Sequence, residues 1–403
     1  MLNLLLILFG IPWLLAQYAF RGKYRASLKG RLGFSLPPSL NKKVLWIHAV
    51  SLGEARAAAP LYHALSKAYP DIPIVVSTTT ETGQAEAKRS LPGAAAYFYL
   101  PLDISWIMRE LMRRLQPAAL ILVEGDIWPN LIKAAKKQNV KLCLVNGKIS
   151  EKSTRRFAYF PSLAKRLFSA FDLLCVQNKT YKKRFTQIGA PAEKVFVTGN
   201  LKYDASFPEI PLAEWKRALK IQATDRILTL GSTHDPEEEN ILRALETIPH
   251  LKILLVPRHP ERFEALAKRY PSTYSKRDQL TGDERVILID AMGVLPACYQ
   301  LSTLAIVGGS FVKHVGGHNV IEPVQCGIPV LFGPHMEAQK EMASLVLAAK
   351  AGAQVSLAEL PAAVNKILTT HSHPEVEHFA LQLKGSVEKT VQKIGLVVKS
   401  SLC

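Results

Sequence analysis

Glu54 ends the run His48-Ala49-Val50-Ser51-Leu52-Gly53-Glu54, which follows an apolar stretch of strand length. Small residues at a strand end let backbone approach a ligand, and a carboxylate placed there can serve as a general base. A glutamate in a first helical turn is also favoured by the helix dipole, so the spacing leaves a purely architectural role open. Glu124 and Asp126 stand two apart in Glu124-Gly125-Asp126-Ile127-Trp128-Pro129-Asn130. Such an acid pair can hold a divalent metal, or it can cap a helix that starts at Pro129, with Trp128 as a packing residue. No other acid or histidine lies nearby in sequence to complete a coordination sphere.

The second half carries three polar loops: Gly231-Ser232-Thr233-His234-Asp235, Pro257-Arg258-His259-Pro260, and a long run from Val307 to Pro323. The last places Gly308, Gly309, Gly316 and Gly317 between a buried strand and a helix start, where bare backbone can approach a phosphate. Glu322, in the turn that follows, can accept hydrogen bonds from vicinal hydroxyls, as an acid does for ribose in dinucleotide folds. With Asn319 beside it and Arg258 at another strand end, these residues point to a nucleotide site. His314 reads as loop solvation, and for His318 both that reading and a site role stand. The pattern G-x-x-x-x-G-K-[ST] is absent, which argues against a P-loop NTPase.

Loops of this kind need strands to position them. Strand-length apolar runs fall at 44–50, 72–79, 95–101, 118–124, 140–146, 172–177 and 195–199, with helix-spaced segments such as 105–116 and 129–138 between them. Continuous apolar strands alternating with helices mean a parallel sheet covered on both faces. Residues 203–211 hold two prolines and no periodicity, and read as a linker. Strands resume at 226–231, 252–257, 286–290, 303–307 and 328–332, and the tail after 373 reads as helix without a strand. The fold class is therefore α/β, with two Rossmann-like domains facing a cleft and the chemistry expected in the strand-to-helix loops.

A chain of 403 residues suits two domains, and 48% hydrophobic against 21% charged residues excludes global disorder. Cys143, Cys175, Cys298, Cys326 and Cys403 are scattered without a C-x-x-C pair, which argues against a disulfide framework and for a reducing compartment. The net charge of +18 sits in the first half: residues 1–200 hold 29 Lys and Arg against 11 Asp and Glu, whereas residues 201–403 hold 22 of each. The basic half should face something anionic. Residues 1–20 carry no charge and are just long enough to span a bilayer, although Pro12 and Gln17 also allow an interfacial seat. Seven Lys and Arg follow before the first acid, Glu54, so the positive-inside rule puts the rest of the chain in the cytoplasm. A cleaved signal peptide would want basic residues ahead of the apolar run and a small-x-small site after it, so the segment reads as an uncleaved anchor. A basic nucleic-acid-binding protein is disfavoured by that anchor and by the lack of an aromatic RNA-binding signature.

Taken together, WIHAVSLGE at 46–54, EGDIWPN at 124–130, NGKIS at 146–150, TGNLKYD at 198–204, GSTHDPEEE at 231–239, PRHPERF at 257–263, DAMGVL at 290–295, GGHNVIEP at 316–323 and GPHME at 333–337 resemble the 3-deoxy-D-manno-octulosonic acid (Kdo) transferases of lipopolysaccharide assembly. The resemblance implies an inverting, metal-independent glycosyltransferase of the GT-B fold without a cofactor. It would move Kdo from CMP-Kdo to the tetraacyl lipid A precursor at the cytoplasmic side of the inner membrane. The alternative is another GT-B nucleotide-sugar enzyme acting on a membrane lipid. In this reading residues 1–20 are the membrane anchor, 21–203 the acceptor domain, 204–211 the linker, 212–375 the CMP-Kdo-binding domain and 376–403 a helical tail. The family's general base falls on Glu54, and Glu124 and Lys202 fall on residues that assist the transition state. CMP contacts fall on Pro257, Arg258, Met292, Gly293, Val294, Asn319, Val320, Ile321 and Glu322. Two departures stand out: Glu124-Gly125-Asp126 replaces the usual E-T-E, and Met292-Gly293-Val294 replaces M-G-E, which leaves Val294 only a backbone contact. Lys202 and the Gly316–Asn319 loop are expected to stabilise the departing phosphate, and the partners are the donor, the lipid and an anionic membrane surface, with no nucleic acid.

Overall fold

The computed structural model describes residues 2–204, 211–370 and 372–402. The chain divides into two compact units, one made of Met1–Ala205 with Lys384–Cys403 and the other of Ser206–Leu383. Of the linker expected at 204–211, all but Asp204 and Pro211 lie outside the described residues.

In the first unit, seven strands form one sheet: β1 (Val44–His48), β2 (Ile74–Thr78), β3 (Ala96–Tyr99), β4 (Pro117–Val123), β5 (Lys141–Gly147), β6 (Leu173–Val176) and β7 (Val195–Val197). The order is β3-β2-β1-β4-β5-β6-β7, and each neighbouring pair is parallel. Every residue of β1 and β4 is buried, as continuous apolar runs require when helices cover both faces. Trp46 and Leu120 face one core cluster and Leu45, Ile47 and Ile121 the other, each fully buried aliphatic or aromatic side chain contributing roughly 1.5–3 kcal/mol. Chain order reverses between β1 and β4, so the carboxyl ends of these strands form the switch point where open α/β sheets bind ligands.

The second unit repeats the plan with β8 (Arg226–Thr233), β9 (Leu251–Pro257), β10 (Val286–Leu288), β11 (Leu304–Val307), β12 (Val330–Phe332) and β13 (Gly352–Gln354) in the order β10-β9-β8-β11-β12-β13. All pairs are parallel, and the switch point lies between β8 and β11. The edge strand β13 has no counterpart in the sequence reading. It is three residues long and only partly buried, so it lacks an apolar signature and forms because its backbone pairs with β12.

Two expectations need correction. Glu124 does not extend the strand expected at 118–124; its φ of +68° turns the chain out of the sheet after Val123. The tail expected at 376–403 is not one piece. Pro374–Leu383 belongs to the second unit, whereas Ser386–Leu402 packs on the first, burying Ile394 and Val398 against the core that holds Leu45 and Ile47. The Asp204 carboxylate accepts the Val387 N–H where this helix begins.

Candidate functional site

Each unit gathers polar groups at its own switch point. In the first, β1 delivers His48 and then the helix Leu52–Ala68, with Glu54 in its first turn. The Glu54 carboxylate accepts the Val50 N–H at 2.8 Å and the Ser51 hydroxyl at 3.1 Å. Among the described residues, no ammonium or guanidinium forms an ion pair with it. Burial pushes its carboxyl up to about 7, opposed by the Val50 N–H and assisted by the charges of Asp126 and Glu124. The preceding residue, Gly53, is exposed, and a Cβ there would meet nothing within 4 Å.

From β4 comes Glu124, buried, with its carboxylate held by Lys148 at 2.5 Å and Lys202 at 2.9 Å. Burial alone would raise this carboxyl, but hydrogen bonds and charge from the two lysines outweigh it and hold it below the usual range. Lys148 follows β5 and Lys202 follows β7, so Glu124 and its partners come from three strand ends of one sheet. Asn146, fully buried at φ +53°, braces the group: its Oδ1 accepts the Leu201 N–H at 3.0 Å, and its Nδ2 lies 3.4 Å from Glu124. Asp126 is exposed; partial burial and then repulsion from Glu124 raise its carboxyl, while Lys148 opposes the rise. Trp128 packs against the core and meets His48 edge-on at 5.8 Å. His48 is buried with Nδ1 2.8 Å from the Ser77 hydroxyl, and burial lowers its pKa to about 4. Its Nε2 and the Trp128 Nε1 are both buried without a hydrogen-bond partner among the described residues, an arrangement that native interiors rarely leave.

In the second unit, Glu237 joins the loops after β8 and β11. Its Oε1 accepts N–H groups of His234 at 2.7 Å and Gly309 at 2.6 Å, and its Oε2 accepts that of Phe311 at 3.3 Å. The side chain is only 1% exposed, and burial pushes its carboxyl up to about 7 against those three donors. Gly308 is required beside it, because a Cβ would come within 2.6 Å of Glu237 Oε1. His234 Nε2 lies 2.8 Å from His318 Nε2, the two rings stack, and His259 meets His234 edge-on at 5.0 Å. His318 is therefore part of this cluster, whereas His314 is exposed.

Asn319 donates to Glu322 at 3.0 Å and accepts the Ile321 N–H at 3.0 Å. Burial raises the Glu322 carboxyl, against Asn319 and the charge of the exposed Arg258 after β9. Val320 and Ile321 are fully buried, so their side chains are packed inside the unit. Pro257 is buried as the last residue of β9. Met292 is 58% exposed on the loop after β10, Gly293 adopts φ +81° with open space around it, and Val294 leans on the core. The helix Leu295–Leu301, which follows residues 292–294, packs against the helix Ile321–Gln325, which carries Glu322.

The structure thus brings Glu124 and Lys202 into contact, sets Glu54 within reach of the Glu124 charge, and groups Asn319, Glu322 and Arg258. The sequence reading missed Lys148 and Glu237. Both lie in motifs it singled out, NGKIS and GSTHDPEEE, but spacing cannot show which distant group each one meets. Among the described residues, no three or more His, Cys, Asp or Glu converge as metal ligands, and Glu124 spends its charge on lysines.

A model of the family described as 3-Deoxy-D-manno-octulosonic-acid transferase (kdotransferase) matches residues 26–205. The 3-deoxy-D-manno-octulosonic acid transferase of Chlamydia muridarum is 37% identical over 371 residues, 89% of this chain and 86% of that protein. That of Chlamydophila psittaci is 35% identical over 396 residues, 96% of this chain and 90% of that protein. A UDP-GlcNAc 2-epimerase structure from Neisseria meningitidis covers 87% of this chain and 99% of its own, at a TM-score of 0.55 and 16% identity, a likeness of fold alone. That fold has the two parallel α/β sheets expected from the alternation of strands and helices, and is the GT-B type that the family resemblance implies. With more than a third of its residues shared across nearly nine tenths of its length, the chain belongs to the Kdo transferases, a family of glycosyltransferases in lipopolysaccharide biosynthesis.

Proposed function

We propose that this transferase takes CMP-Kdo as donor and the tetraacyl lipid A precursor as acceptor, adding one or more Kdo residues at the cytoplasmic face of an anionic inner membrane. The observation that carries the reading is Glu54, a half-buried carboxyl at a switch point whose pKa burial pushes up to about 7. Inverting transfer forms a bond from an acceptor hydroxyl oxygen to the anomeric carbon and breaks the bond from that carbon to the CMP phosphate. The electron pair leaves with the phosphate, and the hydroxyl proton goes to Glu54, which acts as general base.

Negative charge grows on the departing phosphate. Two ammonium groups against one carboxylate leave Lys148, Lys202 and Glu124 with a net charge of +1, which supports a role in stabilising it. Glu124 would then act by orienting the lysines. In the second unit, Arg258, Asn319 and Glu322, with Pro257, Val320 and Ile321 beside them, take the nucleotide, and Met292, Gly293 and Val294 supply further contacts to it. The half-buried Val294 side chain supports a backbone contact there. The basic excess of the first half suits a phosphorylated lipid in an anionic leaflet.

Mass spectrometry of the product formed from CMP-Kdo and a lipid A precursor tests the reading. Kdo-bearing lipid from CMP-Kdo and none from a panel of UDP-sugars is expected; transfer from a UDP-sugar would overturn it.

A further inference from the structure

The apolar helix Asn3–Arg21 is long and apolar enough to cross a membrane, and although most of its surface is exposed, separate points along it tie it to the first unit. At one end, the Asn3 amide donates to the Ser105 hydroxyl at 2.7 Å. Its Oδ1 accepts the Ser105 N–H at 3.1 Å and the Asn130 side-chain N–H at 3.1 Å. Midway, Leu14 is only 1% exposed, which a helix's own neighbours cannot achieve; the rest of the unit covers it. The Trp13 ring lies 6.3 Å from Tyr24, whose face carries the Arg31 guanidinium at 4.2 Å, and Arg31 donates to the Thr79 carbonyl. Just beyond the other end, the N–H groups of Ala26 and Ser27 bind Glu81 at 3.0 Å. Asn3, Leu6, Gly10, Leu14 and Gln17, spaced three or four apart, form the covered stripe.

A helix that crosses a bilayer must leave the globular body and lie in hydrocarbon for about 30 Å. This one is 19 residues, about 28 Å, and is tied to the same polar unit at its start, its middle and just past its end. Its uncovered face presents Leu4, Leu8, Phe9, Trp13, Leu15 and Phe20, with Phe34 and Trp106 exposed nearby in the chain segments it contacts. Exposed Arg21, Lys23, Arg25 and Lys29 follow it, and no acid precedes Glu54. Apolar and aromatic side chains flanked by unopposed cations complement one environment, the headgroup–acyl boundary of an anionic bilayer.

We infer that the helix lies in the plane of the membrane surface as a docked segment of the first unit and does not span the bilayer. The inference rests on the membrane reading proposed above and specifies its geometry. It has a consequence for the site: Asn3 binds Asn130, six residues after Glu124, so the membrane-bound helix is hydrogen-bonded to the start of the helix Pro129–Lys137 that follows the loop carrying that carboxylate.

Depth profiling of the full-length protein tests it. Single nitroxide labels at Leu4, Phe9, Trp13 and Phe20, with Cys326 and Cys403 replaced by serine, are read on phosphatidylethanolamine–phosphatidylglycerol vesicles. All four labels should report a similar depth, roughly 5–10 Å below the headgroups. A depth that changes by about 1.5 Å per residue from Leu4 to Phe20 would overturn the in-plane seat and leave the membrane reading standing. Failure to bind these vesicles at all would remove both. Replacing Arg21, Lys23, Arg25 and Lys29 one at a time by glutamine should weaken vesicle partition roughly fivefold each, and unchanged partition would refute the charged rim.

Discussion

Glu54 in the first unit and Glu237 in the second both reach a pKa of about 7 through burial, and they use it in opposite ways. Glu237 is fully enclosed and spends its oxygens on three backbone N–H groups, binding the β8 and β11 loops into one piece. Glu54 is partly open, and its carboxylate accepts one N–H and one hydroxyl. A raised pKa therefore marks a candidate base only where the proton can also come and go. Glu124 completes the contrast: also buried at a strand end, it is pulled downward by two lysines and is unsuited to take a proton.

The largest effect should come from Glu54. Glu54→Gln and Glu54→Ala should each lower transfer by about 10²–10⁴-fold, the usual worth of general base catalysis, measured as initial rate with saturating donor. A loss below tenfold in both would remove Glu54 from the role and with it the contrast.

Next come the lysines on Glu124. Lys148→Ala and Lys202→Ala should each reduce kcat by about 10²-fold, the scale for losing one preorganised donor to a developing anion. Equal losses would make Lys148 a full partner of Lys202; an unaltered Lys148→Ala enzyme would reduce it to a tether.

The pH dependences should separate the two pKa values. For Glu54, the deprotonated form is active, so kcat/KM should rise with pH along a limb whose apparent pKa is about 7. For Glu237, the folded pKa lies above the ordinary value of 4.5, so the folded chain holds the proton more tightly than the unfolded one. Its contribution to stability is complete below pH 4.5 and is lost as pH rises through about 7, on the order of 3 kcal/mol. Glu237→Gln should flatten that slope in urea unfolding followed from pH 5 to 8. An unchanged slope would mean that Glu237 does not titrate there.

The smallest effect concerns surface charge, where the basic first half and the neutral second half differ most. Arg155, Arg156, Lys165 and Arg166 are exposed on two short helices beside exposed Tyr159 and Phe160. Replacing any one of them with glutamine should weaken binding to anionic vesicles roughly fivefold at low salt, whereas Lys268→Gln in the second unit should leave it unchanged.

Much of this was legible in order along the chain. Buried parallel strands read as unbroken apolar runs, so β1, β4, β5, β8, β9 and β11 announced themselves, and their ends located Glu54, Glu124, Arg258 and the glycine-rich loop. The edge strand β13 did not, because backbone pairing makes it and its side chains carry no pattern. Lys148 was visible as a residue but not as a partner, since its distance from Glu124 along the chain says nothing of the sheet neighbours β4 and β5.

By itself the amino-acid order determined the periodicities, the asymmetry of charge, the charge-free first segment and the glycines that only certain turns tolerate. These are local properties, written in single residues and their near neighbours. Which carboxyl stays protonated near neutrality, which is neutralised by lysines, and whether the last helix serves one unit or the other depend on burial and on groups far apart in the chain. The apolar first helix was equally visible as a candidate span; only the contacts of Asn3 and Leu14 lay it against the body of the protein. Such outcomes are set by long-range packing, because desolvation and hydrogen bonding are properties of the folded surroundings and of no residue alone.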